Sequence, residues 1–345
     1  MRPNKKLVRK LYKLCSKALK DNLGINFARN SKHKDMIKPL IYISINNASA
    51  ESLKYMKGFP SPDTLLRRLE SLDLKHVVDA LNSANRIVLS SHAKDGMKMA
   101  IDFTEEPYYG KLDMYVTRSK YKSGTDTFHT FATISVVGKD EKERLTLYSL
   151  PMLDTKEDIV KKLLENSPRP SVLLMNRGFF KTEMIKLLQS MGINFIMPAI
   201  RNERIKRMLD EFAKGNIPSV YEMGSKVYLV IARKKGSREE DKPDDKFIAF
   251  VTNIKFDPER VVSVIPEEYR YRWGIETSYR VEDGFEAKTT SRNFTLRVIY
   301  FMLSIILYNL WILTRAEVQG KAITVYFFKH MVKTEIIVSG LGPPK

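Results

Sequence analysis

Apolar residues recur at steps of three and four through the first 95 positions, and the repeat then shortens to two. In KKLVRKLYKLCSKAL the pattern sets Leu7, Leu11, Leu14 and Ala18 along one stripe, which predicts an amphipathic helix. SPDTLLRRLESL predicts another, with Ser61 or Asp63 as its cap and Pro62 in the first turn. From Met97 the segments MKMAIDF, FHTFATISVV and RLTLYSLPM are rich in β-branched and aromatic residues, which predicts three strands in an antiparallel meander. A helix from Thr155 to Glu165, the apolar run SVLLMN, a helix from Lys181 to Met191 and the run NFIMPA then predict parallel strands joined by a helix. Antiparallel and parallel units in one chain predict a mixed sheet.

The region after NFIMPA is read as an insertion: a basic helix, the strand-like VYLVIA and the polar run RKKGSREEDKPDDK. FIAFVTNI returns as a strand, followed by helices near Pro266 to Arg280 and near Phe294 to Arg315. The run Val298 to Leu313 falls short of the ~20 residues a membrane span requires and contains Ser304 and Asn309, so it reads as a buried core helix, with no membrane partner expected. The expected organisation is a helical domain over 1–96, a sheet core over 97–201 and 257–315, a β-containing insertion over 202–256 and a tail over 316–345.

Composition adds two constraints. One cysteine, Cys15, forms no internal disulfide, and His33, His76, His92, His129 and His330 show no zinc-ligand spacing with it. The formal charge of +19 over 345 residues favours a polyanionic partner, and residues 1–50 hold 12 of the Lys and Arg against two Asp. Lys5, Lys6, Arg9 and Lys10 are therefore expected to contact DNA phosphates, in a cytoplasmic, nucleoid-associated protein.

Candidate chemistry lies at strand ends and on one charged segment. Asp102 is read at the end of the first strand, in AIDFTEEPYYG, and Asn176 ends a core strand in VLLMNRGFF, where Gly178 permits a sharp exit. In YRYRWGIETSYR, read as one helix, Tyr269, Arg272, Glu276, Arg280 and Asp283 share a face, with Trp273 and Ile275 burying the other side. A solvated ion-pair face gives the same spacing. Tyr108, Tyr109 and Trp273 suit stacking on a base or core packing alike.

The strings DFTEEPYYG, NRGFF and YRYRWGIETSYR, in that order over residues 97 to 315, resemble the DDE-type transposases of insertion sequences, in particular the Y-R-E-K signature group in an archaeal-like variant. The resemblance implies an α/β fold with a ribonuclease H-like mixed sheet flanked by helices. It places Asp102, Asn176 and Glu276 at the three acidic positions that hold two Mg2+ or Mn2+ ions, with Tyr269 and Arg272 as the signature's first members and Arg272 and Arg280 on the phosphodiester. It further implies metal-dependent DNA cleavage and strand transfer, with terminal inverted repeats and target DNA as double-stranded partners and a homodimer in the DNA complex.

Two positions depart from the family. Asn176 stands where the family carries Asp, which removes one negative charge from a site that must hold about four positive ones. A catalytically inactive DNA-binding protein derived from a transposase is therefore the alternative expectation. Asp283 stands in the place of the signature Lys, so the basic role falls to Arg280 or Lys288.

Overall fold

The computed structural model describes residues 5–25, 35–90, 92–138, 144–255, 258–316 and 323–338. Four helices come first: α1 (Lys5–Leu23), α2 (Ile37–Ile45), α3 (Pro62–Glu70) and α4 (Leu74–Leu89). Ser61 is the α3 cap, accepting the Thr64 N–H, with Pro62 in the first turn; Asp73 caps α4 through the His76 N–H at 2.8 Å. On α1 the buried stripe runs through Val8, Leu11, Cys15, Ala18 and Leu19, whereas Leu14 is exposed. The stripe is thus rotated slightly from the one predicted.

Among the described residues the sheet has nine strands: β1 (Lys98–Pro107), β2 (Thr117–Lys122), β3 (Thr125–Val136), β4 (Thr146–Pro151), β5 (Val172–Met175), β6 (Phe195–Pro198), β7 (Val220–Gly224), β8 (Val227–Arg233) and β9 (Phe247–Thr252). Their order is β2-β3-β1-β5-β6-β9-β8-β7, with β4 also on β3. The long β3 pairs with β1 over most of its length; residues 125–128 pair with β2 and 131–135 with β4. The sheet is mixed, because β1, β5 and β6 run parallel and the other pairs run antiparallel. The segment read as an insertion supplies β7 and β8, and β9 closes against β6, so these strands extend the central sheet.

Helices cover both faces: α5 (Lys156–Glu165), α6 (Thr182–Ser190), α7 (Glu203–Ala213), the short α8 (Pro243–Lys246), α9 (Pro258–Arg270), α10 (Trp273–Glu282), α11 (Phe294–Ala316) and α12 (Val325–Val338). Strand alternation sorts the side chains. Met99, Ile101, Leu173 and Met175 join the large core with α1 to α4 and α11, while Ala100 and Leu174 face the opposite side with Ile265 of α9 and Ile275 of α10. Helix α11 is long and apolar enough to cross a membrane but is buried in the protein. Its polar Asn309 is matched there: Nδ2 donates to Asn85 Oδ1 at 2.8 Å and to the Thr146 carbonyl at 2.7 Å, and Oδ1 accepts the Thr146 N–H at 3.0 Å. One amide thereby joins α4, β4 and α11.

The segment YRYRWGIETSYR, expected as one helix, is two. Helix α9 ends at Arg270, the chain turns through Tyr271, and α10 starts at Trp273. Lys98 Nζ of β1 pairs with Glu268 at 2.6 Å and lies 4.8 Å from the Tyr271 ring centroid, pinning this break to the sheet.

Candidate active site

Parallel pairing of β1 with β5 matches Ile101 to Met175, so Asp102 and Asn176 are the next residues on neighbouring strands. Both follow residues of the face covered by α9 and α10, because Ala100 and Leu174 pack there. Asn176 Nδ2 donates to Asp102 Oδ1 at 2.7 Å, and Asn176 Oδ1 accepts the Gly178 N–H at 2.7 Å. The two bonds fix the amide's orientation: a flip would set NH2 against an N–H and oxygen against a carboxylate. A Cβ at Gly178 would lie 2.9 Å from Asn176 Oδ1, so a side chain there would displace the amide from this position.

The helix break brings in the third element. Arg272, buried at the start of α10, reaches Asp102 Oδ2 with Nη1 at 3.0 Å and Glu276 Oε1 with Nη2 at 2.5 Å. The three residues expected at the acidic positions are thus joined in one cluster, Asn176 to Asp102 to Arg272 to Glu276. Burial pushes the Asp102 carboxyl above its ordinary range, while Arg272, the Phe103 N–H and the Asn176 amide act to lower it. Burial likewise raises Tyr269, whose ring packs on Phe250 and lies 5.6 Å from the Arg272 guanidinium carbon.

The other expected residues divide. Arg280 is exposed one turn beyond Glu276 on α10. Lys288 is exposed too, but its backbone N–H bonds the Ala48 carbonyl, placing it beside the α2 turn. Lys6 and Lys10 stand on an exposed ridge of α1 continued by Lys13, Lys17 and Lys20; Arg9 pairs with Glu335 of α12 at 2.8 Å. The side chain of Lys5 lies outside the described residues. Tyr108 is buried against His129, and Tyr109 is exposed. Trp273, expected to be buried, is 65% exposed, because the break in the helix turns it outward.

Trp273 borders a cleft of about 430 Å³ that Asn176, Arg177, Arg201 and Arg272 also line, and a second open groove beside Arg144 and Arg270. Arg177, Arg201 and Arg144 are residues that sequence reasoning missed. The signal for Arg177 was its place directly after Asn176; lone arginines such as Arg201 and Arg144 give none. Lys13 and Lys17 were legible in the 4-3-4-3 spacing of the α1 lysines.

Two divalent ions do not fit this arrangement as it stands. Asp102 and Glu276 contribute two negative charges, Arg272 cancels one, and Asn176 directs N–H groups toward Asp102. Among the described residues no group of three His, Cys, Asp or Glu side chains is placed to hold a metal ion. What the cluster can do, with its arginine-lined cleft, is present cations to a phosphodiester.

The order β4-β3-β1-β5-β6, with two antiparallel pairs followed by parallel strands and with site residues at the centre, is that of a ribonuclease H-like core. The sequence matches the Transposase DDE domain family over residues 99–310, and the chain belongs to that family, whose members use divalent metal ions. The fold is similar to that of piggyBac transposase, solved by cryo-EM as a synaptic complex with hairpin DNA. The TM-score is 0.61 at 12% identity, covering 97% of this chain and 80% of that one. No curated protein matches the sequence.

Proposed function

We propose that the protein is a DNA transposase of the Y-R-E-K group, in its archaeal-like variant, that binds terminal inverted repeats and target DNA as a homodimer and whose cleavage step is suppressed by Asn176. The observation carrying this reading is the fixed amide of Asn176, which donates to Asp102 where the family's chemistry uses a third acid. A catalytically inactive DNA-binding protein is the limiting form of the same reading. In either form residues 1–96 serve as the DNA-binding helical part and act with the core of 97–201 and 257–315; the 202–256 segment is the insertion and 316–345 the tail.

DNA engagement is supported by the charge of +19, the exposed lysine ridge of α1 and the cleft arginines. Arg177 and Arg201, exposed in the cleft, are suited to hold a phosphodiester beside the pair of Arg272 and Asp102, and Arg280 to steer the strand along α10. Asp at 176 would still accept the Gly178 N–H, would donate nothing to Asp102, and would restore the missing negative charge.

The test compares the native chain with Asn176→Asp on a supercoiled plasmid carrying the element's own flanking ends, in Mg2+ or Mn2+. Both should bind with similar affinity, because phosphate contacts remote from Asp102 dominate binding. Only Asn176→Asp should nick the ends. Full-rate cutting by the native chain, or an inert Asn176→Asp with Asp102 and Glu276 intact, sinks the proposal.

A further inference from the structure

Strand β1 outruns its parallel neighbour. β5 stops at Met175, whereas β1 continues to Pro107, about 17 Å beyond Asp102 at ~3.4 Å per residue. The chain there builds an arm: residues 108–116, then β2, then the turn into β3. The arm is braced. Ser123 and Gly124 both have positive φ, 53° and 80°, as a tight two-residue hairpin requires. Tyr109 Oη donates to the Ser123 carbonyl at 2.7 Å, and the Tyr108 carbonyl accepts the hydroxyls of Thr125 and Thr127.

The side chains on this frame are sorted unusually. Tyr115 stacks on Phe294 with centroids 4.5 Å apart, and Asp113 caps the Tyr115 N–H at 2.8 Å, so the loop is anchored inward. Leu112 and Met114 flank that anchor and stand in solvent, Met114 with 84% of its surface exposed. Exposed apolar side chains held close together on a braced loop mark a contact surface. Lys111 directly precedes them, and Arg118 and Lys120 follow on β2 of the same arm; all three are exposed and without an ion-pair partner among the described residues. Two exposed apolar side chains on an arm that carries three unpaired cations suit a polyanion with an apolar interior; a second copy would bring the same positive charge against it.

We propose that the arm is a DNA wedge: Leu112 and Met114 insert between stacked base pairs of a duplex lying across the Asp102 cleft, and Lys111, Arg118 and Lys120 hold the phosphates on either side. Leu and Met are among the side chains that unstack a base step in this way, and the unstacking kinks and unwinds the duplex. The inference rests on the DNA-binding reading above but makes a separate demand, that bound DNA be distorted.

The experiment relaxes closed circular plasmid with topoisomerase I in the presence of the full chain, then removes the protein and resolves the topoisomers. The native chain should shift the linking number. Leu112→Ser/Met114→Ser should bind the plasmid and leave it unshifted, while Leu112→Phe/Met114→Phe should restore the shift. Lys111→Ser/Lys120→Ser should reduce the slope of log K against log[salt] by about 2, from two phosphate contacts. Both positions are solvent-exposed, and unchanged thermal melting of the serine variant confirms that it is folded. An unshifted linking number with native chain bound, or a serine variant that shifts it fully, overturns the wedge. So does a serine variant that changes only the oligomeric state, which would make the tip a contact between copies. Failure of the native chain to bind plasmid at all would instead bring down the DNA-binding reading itself.

Discussion

Helix α10 carries two glutamates six residues apart, and the protein handles them in opposite ways. Glu276 lies half exposed one turn after Arg272, whose single positive charge it shares with Asp102. Glu282 is buried at the inner end, accepts one hydrogen bond from the Thr146 hydroxyl at 2.9 Å, and is held neutral because burial raises its pKa to about 8. Nearby, burial also pushes Glu106 and Glu286 upward; the Glu286 carboxylate adds to the rise at Glu106, while a hydrogen bond from Glu106 and the charge of Arg297 pull Glu286 back down. One end of the helix therefore sets its carboxylate against a cation, and the other suppresses charge by burial. Only the first arrangement leaves carboxylates that can meet an incoming ligand, so acidic residues near β1 do not by themselves locate a site.

The largest effect expected from this contrast belongs to Arg272. Its side chain and that of Asp102 are 9% and 11% exposed, so Arg272→Ala strands a buried charge, and urea denaturation should show a loss of about 3–5 kcal/mol. A loss below about 1 kcal/mol would mean that water reaches Asp102 freely and that the cation is dispensable.

Glu282 should behave differently, with an effect that depends on pH. Its folded pKa lies above the usual 4.5, so between 4.5 and about 8 the folded protein holds a proton that the unfolded chain has shed. Stability thus falls as pH rises through that window, by up to about 1.4 kcal/mol per unit for this group. Glu282→Gln should remove one proton's share of that slope while Glu106 and Glu286 keep theirs. Identical slopes in the two proteins would show that Glu282 is ionised in the fold.

How far these clusters could be read from sequence follows from the kind of signal each carries. The apolar runs of β1, β3, β4, β5 and β6 were legible because both faces or one whole face are buried. The edge strands β2, TRSKYK, and β7, VYEMG, were not, since largely exposed edge strands carry no apolar alternation. The break between α9 and α10 has no Gly or Pro at Tyr271 or Arg272, and Pro266, a natural helix start, lies inside α9. The pattern therefore read through a break that packing against Lys98 and the sheet imposes. Asn176 was legible from its strand end, and all three of Asp102, Asn176 and Glu276 from family resemblance; the strand end expected at Asp102 is instead the middle of β1, which runs on to Pro107 because it pairs with β3 from Met99 onward. The guanidinium between two of them was placed on the helix face, but its reach into the sheet depends on the break. The neutral Glu282 was invisible, because burial, which sequence position does not reveal, decides its charge.

The smallest effect expected is that of Glu276→Gln, and it bears most directly on function. Glu276 is 50% exposed, and its partner precedes it in the helix, the weaker order for an i,i+4 pair, so solvent screens most of what the contact contributes. Arg272 keeps Asp102 after the change. Urea denaturation should therefore move by no more than about 0.5 kcal/mol. In an Asn176→Asp background, however, the same substitution should abolish plasmid nicking, because it removes one of the three acids that the family's chemistry draws on. A large loss of stability would assign Glu276 to the structural network with Arg272. Undiminished nicking would place the third acid elsewhere and separate the cleft end of α10 from the reaction.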